Sequence, residues 1–111
     1  MDRIEQYKSV ATNLLRKYAD LKPVNVDVDR QLIIDDKNGH YQLMSVGWKG
    51  SERIHNCVIH LDVIDGKVWV QQDATDIGIA DELADSGIPK SDIVLAFYPL
   101  SKRIYTGFGV N

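Results

Sequence analysis

The chain has 111 residues, of which 44% are hydrophobic and 26% charged, and a formal net charge of −3. That size and balance suit one domain over 1–111 with a single core, and an acidic chain lacks the clustered Lys and Arg that displace counterions from duplex phosphates, so direct nucleic-acid contact is not expected. No run approaches the roughly 18 apolar residues of a membrane span and the N-terminus is charged, which points to a cytoplasmic protein without membrane contact; Cys57 alone allows neither an internal disulfide nor a cysteine metal cluster.

In chain order, Ile4, Tyr7, Ala11, Leu14 and Tyr18 recur at helical spacing, with Val10 and Leu15 widening the stripe, so 2–20 reads as one amphipathic helix closed by Pro23. Val24 to Val28 reads as extended. Gln31 to Asp35 and Tyr41 to Trp48 flank Asp36-Lys37-Asn38-Gly39, whose Asn-Gly pair signals a hairpin. A second reversal falls at 49–52 and a third at Asp65-Gly66, giving four strands in an antiparallel meander. Thr75 can cap a helix from Asp76 to Ser86, with Gly87 placed to end it and Pro89 to start a short further turn. The expected fold class is α+β: a long N-terminal helix, a four-stranded antiparallel meander, then one or two short helices packed on one face of the sheet. From Tyr98 onward glycines and aromatics leave the tail unassigned.

Residues opposite each other in an antiparallel pair share a side of the sheet, so the turns assign the faces. A two-residue turn at Asp65-Gly66 sets Val63 opposite Val68, Leu61 opposite Val70 and Ile59 opposite Gln72 on an apolar side, to which an even turn at 49–52 adds Met44, Val46 and Trp48. The other side pairs Asp62 with Trp69, His60 with Gln71 and Val58 with Asp73, and adds Leu43, Ser45, Ile54 and Asn56. A bulge at any point would break this register.

The second side gathers His60, Asp62, Trp69, Gln71 and Asp73. A histidine beside two carboxylates is raw material for acid–base chemistry, a small-molecule site or a metal site. Zinc, however, wants three or four converging ligands, and His40, His55 and His60 read as scattered over a loop and two opposite strand faces. No HExxH, P-loop, GxSxG or CxxC accompanies them. The reading preferred here is an interface network, with no catalytic residue, no metal and no cofactor assigned; a ligand-binding or enzymatic role for His60, Asp62, Gln71 and Asp73 is the alternative.

Other conspicuous residues have plainer readings. Trp48 and Trp69 read as core or interface mass. Gly78 reads as close backbone approach or simple tolerance, and Lys102-Arg103 as a solvated pair. Acid concentrates between His60 and Asp92, where eight carboxylates face only Lys67 and Lys90, whereas 1–22 is net basic. That asymmetry suits a protein partner or another subunit. The apolar residues on the second side call for cover, by a symmetric homo-oligomer or by the C-terminal segment.

YQLMSVGW at 41–48, RIHNCVIHLDVIDGKVWVQQD at 53–73, TDIGIADEL at 75–83 and IPKSDIVLAFYP at 88–99, with LKPV at 21–24, resemble the XisI family of excision controlling factors over nearly the whole chain. The resemblance implies a small cytoplasmic cyanobacterial protein tied to excision of the fdxN DNA element during heterocyst differentiation, beside a site-specific recombinase and an XisH companion. It supplies no catalytic residue. An accessory factor acting through contact with an XisH-like partner, and with the recombinase as a possible second one, is what it implies.

Overall fold

The computed structural model describes residues 3–21, 24, 26–76 and 78–111. Helix α1 spans Arg3–Ala19 and buries Tyr7, Ala11, Leu14, Leu15 and Tyr18, the stripe that the periodicity marks. Pro23, expected to close this helix, lies outside the described residues. Strands β1 (Asp27–Asp35), β2 (His40–Lys49), β3 (Glu52–Ile64) and β4 (Lys67–Asp73) follow as an antiparallel meander. Then come α2 (Ile79–Asp85), a 3₁₀ turn (Lys90–Asp92), β5 (Ile93–Leu95) and the short helix α3 (Leu100–Arg103).

The fold is α+β, as expected, with a fifth strand where four were expected: β5 lies parallel to β4 at the end of the sheet order β1-β2-β3-β4-β5. Three residues, Ile93, Val94 and Leu95, are too short a run to stand out by periodicity, and β5 exists because the α2 crossover lays it beside β4. Among the described residues no helix is long and apolar enough to cross a membrane.

The turns form where their residues require. Asp65 and Gly66 both have positive φ, at 54° and 77°, as a two-residue hairpin turn of the right twist demands. At Gly39, φ is +75° and an added Cβ would meet the Val63 carbonyl oxygen at 2.4 Å, so the glycine lets the β1–β2 loop tuck against β3.

One face of the sheet carries α1 and α2. Tyr41, Leu43, Ile59, Leu61, Val63, Val68, Val70 and Ile93 pack with the buried stripe of α1 and with Ile79, Ala80 and Leu83 of α2. This corrects the expected face of β2: Leu43 and Ser45 are buried beneath α1, and Met44, Val46 and Trp48 lie on the open side. A β-bulge is the cause. Leu43 pairs with Ile59 but Met44 pairs with Cys57, leaving Val58 as an extra residue, and a slip of one residue turns a strand over. A second bulge corrects the β3–β4 pairing, where Leu61 faces Val70 as expected but His60 faces Gln72 and Ile59 faces Asp73, so Gln71 is the extra residue.

Polar ties join α1 to α2 and to the 3₁₀ turn. The Tyr18 hydroxyl of α1 donates to Glu82 of α2, and Lys17 pairs with the same carboxylate at 2.8 Å. At the other end of α1 the Tyr7 hydroxyl donates to Asp92. Burial, then the adjoining carboxylate, pushes each of these two phenols up to about 12, so both remain donors across the ordinary pH range.

Candidate functional site

The open face of β2, β3 and β4 brings together a histidine–carboxylate cluster. Asp62 of β3 lies directly opposite His40, the first residue of β2, and His60 precedes Asp62 by two positions and so shares its face. His40 Nδ1 lies 2.7 Å and His60 Nε2 2.9 Å from the same oxygen, Asp62 Oδ1. Gln71 Nε2 donates to the other oxygen, Oδ2, at 3.2 Å. A carboxylate only accepts, so each imidazole nitrogen facing it carries a proton.

Asp62 is buried, at 7% exposure, whereas the His40 side chain is 48% exposed and that of His60 27%. A buried carboxylate with three donors is satisfied. The cluster is thus anchored at its floor and open at its rim. His40 sits above the usual imidazole value of 6.5, first because it donates to Asp62, with desolvation opposing and the charges of Asp62 and Asp35 adding.

Of the five residues singled out from the sequence, the structure brings His60, Asp62 and Gln71 together and sends Asp73 elsewhere. Asp73 Oδ1 accepts from the Thr75 amide and hydroxyl at 2.9 and 2.5 Å, and Oδ2 accepts from the Ile79 amide at 2.8 Å, the first residue of α2. Its carboxylate ties the loop to the helix. This also corrects the expected start of that helix: the Thr75 hydroxyl does accept from the Gly78 amide, at 3.2 Å, but α2 begins at Ile79 instead of Asp76, after Gly78, whose φ of 95° accounts for the glycine. Gly87, with φ of 103°, ends the turn beyond α2 as expected.

Trp69 pairs with Asp62 but is claimed by the C-terminal segment. The Arg103 guanidinium stands 5.7 Å from its ring centroid and donates to the carbonyls of Ala96, Tyr98 and Val110. Arg103 is therefore an organiser of the tail and not half of a solvated pair. Val94, the β5 neighbour of Trp69, is fully buried, and it bridges to Gly109. The tail covers the β4–β5 end of the open face.

His40 is the residue that the sequence reading missed. Counting from the turn at 49–52 without a bulge sets His40 opposite Leu61, pointing away from Asp62; the extra residue at Val58 moves it opposite Asp62. The signal for this was present, since Tyr41 and Leu43 alternate with polar neighbours and belong with Leu61 and Ile59. The expectation that the three histidines scatter is corrected for His40 and His60, while His55 pairs with Val46 farther along the sheet.

The uncovered part of the face runs along β1 and β2. Ile33 and Trp48 are each 48% exposed, Met44 and Val46 lie half-buried, and Arg53 stands over the Trp48 ring at 5.2 Å.

Comparison with known proteins adds the family. The crystal structure of a XisI-like protein from Anabaena variabilis ATCC 29413 superposes with a TM-score of 0.86 at 45% identity, covering 97% of this chain and 99% of that one. The fdxN element excision controlling factor XisI from the same organism gives a TM-score of 0.85 at 33% identity, covering 99% of this chain and 100% of its own. No curated protein matches the chain. The family profile described as XisI protein matches residues 1–110, and the chain belongs to the XisI family.

Proposed function

We propose that this protein is a non-catalytic accessory factor that controls site-specific excision of a DNA element through contact with a companion protein resembling XisH, with the recombinase as a second partner. The observation that carries the reading is the full-length likeness to a protein named an excision controlling factor. Charge supports the route: a chain of net −3 has little to offer phosphates and more to offer a protein surface. The open sheet face supports the place. Trp48, flanked by Val46 and Met44 and stacked with Arg53, is the kind of exposed aromatic–Arg pair that dominates interfaces, and the same apolar strip is the reason to expect a homo-oligomer.

The test is co-purification of the protein with the XisH-like protein of the same genome, with sizing by light scattering. A defined complex is expected, weakened about tenfold or more by Trp48→Ala. Failure of the two purified proteins to associate overturns the proposal.

A further inference from the structure

We propose that His40, His60 and Asp62 form a binding site for a first-row divalent transition metal ion, zinc being the ion whose preferences the set matches best. The proposal rests on the geometry of this cluster and stands apart from partner binding. His40 Nδ1, His60 Nε2 and a carboxylate oxygen of Asp62 all lie within 4.8 Å of one another. A tetrahedral ion with bonds of about 2.0–2.1 Å spaces its ligands about 3.3 Å apart. Two of the three separations, 2.7 and 2.9 Å, need to open by about half an ångström to meet that spacing.

The exchange is chemically simple. Two N–H···O bonds to Asp62 Oδ1 give way to two nitrogen–metal bonds, and each neutral imidazole needs only to hold its proton on its other ring nitrogen. The carboxylate supplies the third ligand and neutralises part of the ion's charge.

Three further features favour a built site over a chance meeting of side chains. Gln71 holds Asp62 Oδ2, the outer hydrogen bond that orients a ligating carboxylate. Gln71 is itself the extra residue of the β3–β4 bulge and His40 reaches Asp62 because of the β2–β3 bulge, so two irregularities of the sheet converge on one cluster. Lastly, the ligands sit on paired strands, a rigid support, while the half-exposed His40 leaves a path for the ion and an open coordination position on the solvent side. Two imidazoles and one carboxylate select zinc, cobalt or nickel over calcium and magnesium, which prefer all-oxygen sites.

Cobalt(II) serves as a visible probe, titrated into the metal-free full-length protein and then displaced with zinc. Saturable uptake of one ion per chain is expected, with zinc displacing cobalt and magnesium leaving it in place. His40→Ala, at a half-exposed position, is expected to weaken uptake about a hundredfold, Gln71→Ala about tenfold, and His55→Ala not at all. Circular dichroism confirms that each variant is folded, and His40→Ala decides the matter by itself should His60→Ala or Asp62→Asn fail to fold. Absence of saturable uptake at millimolar cobalt, or uptake that His40→Ala leaves unchanged, overturns the proposal.

Discussion

Asp62 of β3 and Asp73 of β4 show how one residue type in neighbouring strands takes two different tasks. Alternation puts both on a single polar face, yet Asp62 collects His40, His60 and Gln71 while Asp73 turns its two oxygens to the Thr75 and Ile79 amides. Replacing Asp73 with Ala should therefore cost about 1 kcal/mol of stability or more, through the lost bonds to Thr75 and the Ile79 amide, with the histidine cluster unaltered; chemical denaturation measures the first and the imidazole proton resonances the second. His40 makes a pH-dependent contribution whose sign follows from its raised value. The group binds its proton more tightly folded than unfolded, so the contribution is fully present below 6.5 and is lost as pH rises through the folded value. The charged groups that face it are Asp62 and Asp35. Urea midpoints of the wild type and His40→Gln should differ at pH 6 and converge at alkaline pH; parallel curves would refute the assignment.

At the scale of elements, the bulges and the helix contacts decide what the strand pattern cannot. The β1–β2 and β3–β4 turns were legible because Gly39 and the Asp65-Gly66 pair meet local conformational requirements, and α1 because its stripe repeats over about four turns. The bulges at Val58 and Gln71 have no such local signature, since they answer to the fit of β3 against two neighbours and the helices above. The α1–α2 contact carries its own titration. Burial pushes the Glu82 carboxyl up, but hydrogen bonds from Lys17 and Tyr18 outweigh it and hold the group below its ordinary 4.5. A carboxylate depressed in this way contributes stability above 4.5 that is lost as pH falls through its folded value. Glu82→Gln should accordingly be less stable than the wild type near neutrality, with the gap in thermal midpoint closing on acidification; a gap that persists at pH 3 would show that charge is not its source.

Across the whole molecule, one strip of the sheet stays exposed. The helices occupy one face of the sheet, the C-terminal segment occupies the β4–β5 end of the other, and the strip through Ile33, Met44, Val46 and Trp48 stays open. The tail's cover hangs on Arg103, which bonds three carbonyls and stacks on Trp69. In a Trp48→Phe background, Arg103→Ala should shift Trp69 emission to longer wavelength as water reaches the ring; unchanged emission would mean that the tail holds without it. The sequence by itself determined the α+β class, the amphipathic first helix, the meander and its turns, and the family, because each rests on local periodicity, turn chemistry or contiguous motif. Only the tertiary structure decided that Leu43 lies beneath α1, that β5 joins the sheet, that Asp73 serves α2 and that His40 meets Asp62 and His60. Those outcomes depend on register, and register in a bulged sheet is set by packing between residues far apart in the chain.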